Sequence, residues 1–505
     1  MMHETHWLAG VVAERMEAMG QCQLRLLVLT LLFVSTVSRG DDTALLDGLA
    51  ARGGLITLEP RTYHHTGDWL LLRNHTVVRG AGVGLTKLVM HRGTVLAQDN
   101  RSSGYSHQYT YDKPLTNIVL ADFEVELVQN HSFDDDGHCC KFSESRSAVQ
   151  LINVAHGELR GLRVHGASFQ SISLVNCAGV HVVSCHSSFC SGTDIAINDF
   201  SMDCSLIDPL VTTEDFPAGT NFSGNYYKDD ALAVQGYTRG CSIRGGTVRF
   251  AKIQTNSGAA GVKISGSDDV RVEGVFVEGH ANSLTLDYSQ YTDSTHGSIT
   301  VTDFTGVNPS LNGLNLAGSN CAHGPYRGIS IANAILRRTT PPPYATGQCV
   351  PWPCNVTGNP CPGGTLCTAR GDACCAPEKY GTGNAVAIGW LDRVRLSGVE
   401  ITGTWGVGVH FAGPALGLPT PNDYEVDFDG IVLDGVDTAF AFASAEEAFT
   451  RSAIMGAVVR NASQTLAGPG KDAVLASKER WFHNLREYNC THPLGKEQLP
   501  EANRL

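Results

Sequence analysis

A chain of 505 residues with 42% apolar and 17% charged side chains has the composition of a globular protein. Its formal charge of −13 leaves no broad basic field. Nucleic acid and anionic membrane surfaces are therefore poor partners, and a polyanionic ligand is disfavoured.

The chain opens with an apolar run, Leu24 to Val37 (LRLLVLTLLFVSTV), too short to span a bilayer comfortably and followed by Ser38-Arg39-Gly40. Residues 1–40 read as a cleavable signal peptide, with an uncleaved anchor as the alternative. The acids Glu4, Glu14 and Glu17 are unusual there, and initiation at Met16 or Met19 would give a more ordinary leader. No later stretch is long enough to cross a membrane, so a secreted protein with no membrane insertion after cleavage is expected.

Cysteine use agrees with an oxidising compartment. One of the 16 cysteines, Cys22, lies in the leader, and the odd remainder implies one free or intermolecular thiol. Adjacent pairs (Cys139-Cys140, Cys374-Cys375) and the dense run from Cys349 through Cys354, Cys361 and Cys367 point to disulfides rather than zinc. Sequons stand at Asn74, Asn100, Asn130, Asn221, Asn355, Asn461 and Asn489, as expected of a glycoprotein.

Past the leader, Thr43 to Ala51 (TALLDGLAA) predicts a short helix stopped by Arg52-Gly53-Gly54. Short alternating strands follow, at Ile56/Leu58, Leu70/Leu72, Val77/Val78 and Leu88/Val89, with no helix between them. Gly53-Gly54, Pro60, Thr62-Tyr63, Asn74, Thr76, Gly80, Gly82, Thr86 and Leu88 together resemble the entry to the pectate-lyase-like superfamily. That resemblance implies a right-handed parallel β-helix and is nearly silent on chemistry.

The repeat supports the same fold independently. One strand family reads SISLVN, DIAIND, ALAVQG, GVKISG, SLTLDYS, GLNLAGS, AVAIGW and GVGVHFAG. A second falls between its members: HVVSCH, CSIRGGTVRF, VRVEGVFVEG, SITVTDFTGV, GISIANAILR and VRLSGVEITG. Leu174 to Ile197, Ile264 to Leu286, and Ile388 to Val409 are 23, 22 and 21 residues apart. Such a period with two-residue alternation is a β-solenoid pattern. The β-helix is expected over 41–460. A Cys-rich insertion takes about 338–384, and a segment over 461–505 caps the last coil, with Lys471 to Tyr488 helical.

Alternation sends Ile195, Ile197, Leu232, Val234, Val262, Ile264, Leu284, Leu286, Val407 and Val409 inward. One outward column becomes Asn198, Gln235, Ser265, Asp287, Ala317 and Gly389, continuing to His410. Beside it run Ala196, Ala233, Lys263, Thr285, Asn315 and Ala387. Spaced by about 4.8 Å per coil, this polar ladder can hold sugar rings, and Asn198, Gln235, Lys263, Asp287, Tyr288, Asn315 and His410 are its candidate binding residues. The alternative is an ordinary solvated sheet face.

Asp194, Asp229 and Asp230 precede two successive strands and are expected to stack. Paired carboxyls are what glycoside hydrolysis needs, one to protonate the leaving oxygen and one to activate water or attack carbon. The placement resembles polygalacturonase-type hydrolases, in which Asn-Thr-Asp precedes Asp-Asp on the next coil. Here Gly192-Thr193-Asp194 and Asp229-Asp230 take those places, SGAAGVKIS replaces the family's Gly-His-Gly, and its Arg-Ile-Lys motif is missing unless Lys263 substitutes for part of it.

The rival is a polysaccharide lyase or C5-epimerase, with Lys263 as base among Asp287, Tyr288, His280, His296 and Arg271. A third reading is a non-catalytic glycan-binding or adhesive protein. No cofactor or metal is called for. Calcium at Asp134-Asp135-Asp136-Gly137-His138 is the exception, and a solvated acidic turn is its alternative. The expected partner is a polysaccharide, bound by a monomer.

Overall fold

The computed structural model describes residues 40–91, 94–97, 114–128, 147–167, 169–188, 190, 192–212, 230–250, 259–287, 297–316, 326–339, 349–351, 366–367, 373–375, 383–389, 391–411, 425–442, 452–468, 471–476 and 481–494. The expected leader therefore lies outside the described residues. So do Asp229, Tyr288, His296, the Asp134–His138 run, and the sequons Asn100, Asn130, Asn221 and Asn355. Among the described residues no helix is long and apolar enough to cross a membrane.

After helix α1 (Thr43–Arg52) the chain winds through three parallel sheets. Sheet A starts with Gly54–Thr57, sheet B with Thr62–His65 and sheet C with Trp69–Leu72. Each strand then pairs with the one a coil further on, as Gly54 does with Thr76. The described strands number 15, 13 and 14 in sheets A, C and B. This is a right-handed parallel β-helix.

The first strand family is sheet C throughout, from Gln170–Val175 to Val407–Phe411. Most members of the second family hold two strands, one of sheet A and one of sheet B, with a single left-handed residue turning the corner between them. That position stacks as Ser184, Asp208, Gly245, Gly274, Asp303 and Asn333, all with φ between 48° and 65°. Short polar residues and glycine tolerate this conformation, which explains the Gly and Asn punctuation of the sequence. The entry motif works similarly: a Cβ on Gly80 would lie 2.5 Å from the Asp122 carbonyl, and Thr86 Oγ1 donates to Glu59 and accepts from Ala81.

One continuous core runs down the axis, from Leu46 of α1 to Leu494. Ile195, Ile197, Leu232, Val234, Val262, Ile264, Leu284, Leu286 and Val409 all belong to it. Val407 does not. It aligns with Asn384 and Thr438 on the outer face, while Gly408 occupies the inward position beside it.

The C-terminal segment also departs from expectation. Its helix, α2, is described over Lys471–Ala476, and Phe482–His483 and Arg486–Tyr488 beyond it extend sheets A and B. Buried Phe482 and Leu485 make the stretch from Phe482 strand-like rather than helical, because they fill the end of the core beside Trp481. Within the Cys-rich insertion, Cys349–Pro351, Leu366–Cys367 and Ala373–Cys375 form a separate antiparallel sheet. The disulfides expected there involve side chains outside the described ones.

The expectation of a single free thiol is corrected, for Cys177, Cys185, Cys204, Cys241 and Cys490 are all unbridged. Each sits at a coil corner with Sγ against the carbonyl two residues back and another on the preceding coil, as Cys177 does with Val175 and Leu151. Burial pushes the Cys177 and Cys185 thiols up to about 12. Since the thiolate is the reactive species, both are expected to resist a thiol-exchange reagent at pH 8 in the native protein and to react on denaturation. Modification of either before unfolding, mapped by peptide mass spectrometry, would refute this.

Candidate functional site

The outer face of sheet C carries the ladder in register. Ala196, Ala233, Lys263, Thr285, Asn315 and Ala387 align coil by coil, and Asn198, Gln235, Ser265 and Asp287 form the next column. His410 is reassigned: it pairs with Ala387 and so continues the Lys263 column, not that of Asn198. Asp287 lies in its strand as expected, and its side chain is outside the described ones.

Hydrogen bonds run along the ladder. Gln235 Nε2 donates to Asn198 Oδ1 at 2.9 Å, and Asn198 Nδ2 donates to Gln170 Oε1 at 3.1 Å and Ser173 Oγ at 3.0 Å. A third column escaped sequence reasoning. Asn384 Nδ2 reaches Asn312 Oδ1 at 3.3 Å, and Asn312 Nδ2 reaches Asn282 Oδ1 at 2.9 Å. Its signal was available: each Asn stands two residues before the first large core residue of its strand (Leu284, Leu314, Val386). Gln235, Lys263, Asn312, Asn315, Asn384 and His410 are half-buried, so the strip is partly open along several coils.

Asp230 belongs to this face. It is 1% exposed, accepts the Ala260 N–H at 2.9 Å through Oδ1, and holds Lys263 Nζ at 3.1 Å through Oδ2. Asp194 does not belong to it. Ile195 pairs with Leu232, which sets Asp194 level with Ala231 and Thr193 level with Asp230, so the acids are offset by one residue. At this corner two successive residues face inward, in a column of small side chains that includes Ala148, Ser171, Ala231, Gly261 and Gly313. A Cβ on Gly261 would strike Val277 of sheet B at 2.3 Å, which fixes the direction.

Asp194 is accordingly fully buried, and its Oδ1 accepts from Ser187 Oγ at 2.6 Å. Ser187 fills a core position between Val164 and Val211 and lies 2.6 Å from Ser171 Oγ. The expected stack of Asp194 on Asp230 is thus corrected, because alternation breaks where the chain bends from sheet B into sheet C. Of the remaining candidates, Arg271 lies on sheet A and His280 is buried edge-on against Phe250, so neither joins Lys263.

Two further features adjoin the strip. Phe200 and Tyr237, each two residues beyond an outward amide, stack with centroids 5.2 Å apart and planes 9° apart. Both have φ of 57°, a conformation costly for bulky side chains. Burial holds His410 below the ordinary histidine range, so it offers a neutral imidazole that both donates and accepts. The described sequons, Asn74, Asn461 and Asn489, are exposed at corners; Asn461 Nδ2 donates to Asp434 Oδ1 at 2.8 Å. Among the described residues no three His, Cys, Asp or Glu converge as metal ligands.

No protein-family model and no curated protein matches this chain. Solved structures do. The N-terminal fragment of bacteriophage phi29 gene product 12 superposes with a TM-score of 0.58 at 10% identity, over 94% of this chain and 74% of that one. The pre-mature form of the same phage protein gives 0.54 at 10% identity, over 85% and 55%. The catalytic unit of an α-1,3-glucanase from Streptomyces thermodiastaticus gives 0.48 at 11% identity, over 91% and 68%. Identities this low speak to fold alone. Three parallel sheets wound around one core, entered through the Gly53–Leu88 motif, make this chain a right-handed parallel β-helix.

Proposed function

We propose that this protein is a secreted, carbohydrate-active β-helix that seats an extended polysaccharide along the outer face of sheet C. The observation that carries the reading is the in-register strip of amides, hydroxyls and His410 centred on the Asp230–Lys263 pair. Sugar hydroxyls require closely spaced donors and acceptors, which side-chain amides supply on both counts. The stacked Phe200 and Tyr237 add an aromatic surface suited to the apolar face of a pyranose.

Within that reading, glycoside hydrolysis places its chemistry at Asp230 with neighbouring Asp229 as the second carboxyl, since Asp194 faces the interior. The lyase or epimerase reading is weaker, because Lys263 is engaged by Asp230 rather than standing apart as a base.

Reducing-end release from a panel of neutral and uronate polysaccharides tests the proposal. Gln235→Ala and Asn315→Ala are expected to weaken glycan binding about tenfold, the scale of one lost polar contact. Asp230→Asn is expected to abolish turnover while binding persists. Binding without turnover on every glycan identifies a non-catalytic protein, and an unsaturated product absorbing in the ultraviolet identifies a lyase. Failure of all glycans to bind overturns the proposal.

A further inference from the structure

At the opposite end of the solenoid from His410, two imidazoles meet across the first two coils. His64 lies on the outer side of the strand Thr62–His65, and His91 directly follows the strand Lys87–Met90 paired to it. His64 Nδ1 and His91 Nε2 are 3.1 Å apart, with ring centroids 5.4 Å apart and planes tilted by 30°.

The backbone under each ring is held by hydrogen bonds. Asp42, at the start of α1, accepts the His64 N–H at 3.0 Å and donates its own N–H to the His64 carbonyl at 2.8 Å. The His91 N–H donates to the His65 carbonyl at 2.9 Å. The backbone positions that bring the two rings together are therefore set by the coil ladder and the cap helix.

We infer that His64 and His91 form a binding site for a late first-row divalent cation, with water completing the coordination. Two imidazole nitrogens bound to one such ion at about 2.0–2.1 Å, at angles between octahedral and tetrahedral, lie about 2.9–3.4 Å apart, and the observed separation falls inside that window. Imidazole selects Zn²⁺, Cu²⁺ or Ni²⁺ over Mg²⁺ and Ca²⁺. Asp41 and Asp42 make the surroundings acidic, and Arg61 is already paired with Asp42 at 3.0 Å. The bound ion clips the first coil to the second, at the end of the solenoid that α1 covers, and so stabilises the native state.

The simpler use of this geometry is a hydrogen bond between two neutral rings, and the experiment separates the two. Metal-free full-length protein is titrated with Ni²⁺, Cu²⁺ and Zn²⁺ separately by calorimetry, with Mg²⁺ as control, and the Cu²⁺ form is examined by electron paramagnetic resonance. Wild type is expected to show a site with two imidazole nitrogens on copper and a raised melting temperature with Ni²⁺ or Zn²⁺.

His91→Ala changes an exposed residue outside the core, and it is expected to lower affinity at least about tenfold; His64→Ala should do the same. His91→Gln preserves a hydrogen-bonding partner and is expected to fold normally yet lose the copper signature. Wild-type affinity retained in both alanine variants, or no two-nitrogen copper spectrum from wild type, overturns the assignment.

Discussion

Lys263→Met is expected to lower the stability of the central coils by about 3–5 kcal/mol, the cost of removing one partner from a buried ion pair. Asp230 is 1% exposed and Lys263 19%, so neither charge is well solvated, and their 3.1 Å contact compensates the carboxylate together with the Ala260 N–H. Methionine keeps the length of the side chain and removes only the ammonium. The readout is hydrogen exchange at the Ala260 amide, which donates to Asp230 Oδ1 and reports directly on this coil. The double variant Asp230→Asn/Lys263→Met removes both charges while keeping an acceptor for that amide, and most of the loss is expected to return. A single variant within about 1 kcal/mol of wild type would show that the pair is solvated and that sheet C is more open than described.

Phe442→Ala is expected to cost a similar amount, about 3–5 kcal/mol, at the other end of the solenoid. Phe442 stacks on Phe411 with centroids 4.5 Å and planes 3° apart, and Trp481 meets both edge-on at 5.3 and 5.8 Å. All three are buried, so truncation leaves a cavity that the rigid coil above cannot collapse to fill. Because each coil contacts only its neighbours, the damage is expected to stay local. Protection should fall beyond Val407 and remain unchanged around Ile195–Leu286, with Trp481 fluorescence shifting toward that of a solvated indole. Phe442→Leu, which refills much of the volume, should cost less. Uniform loss of protection along the chain would mean that the solenoid unfolds as one unit.

Much of this molecule is legible from its residues alone. The spacing near 22 residues and the two-residue alternation announce the coil, and they correctly send Ile264 inward and Lys263 outward. The columns through Gln235 and Thr285 follow as well, because alternation within one strand is a local property of extended backbone.

The errors all lie at corners, at loops or at the chain's end. Asp194 counts as outward by alternation and is inward in fact, since the bend between sheets B and C lets two neighbours face the core. His410 was put one column away, because matching Ile388 to Val409 slips the register by two residues: Val409 pairs with Val386, and Ile388 with Phe411. From Phe482 on, the segment is strand rather than helix, because the open end of the core takes up its apolar side chains as a further coil.

What the sequence by itself determined is the period, the core and the sheet that bears the polar strip. Only the tertiary structure decided which carboxylate meets Lys263, that Phe200 lies on Tyr237, and that His64 faces His91. Those encounters join residues 27 to 37 positions apart. They depend on how much chain each loop consumes between coils, and no local pattern encodes that length.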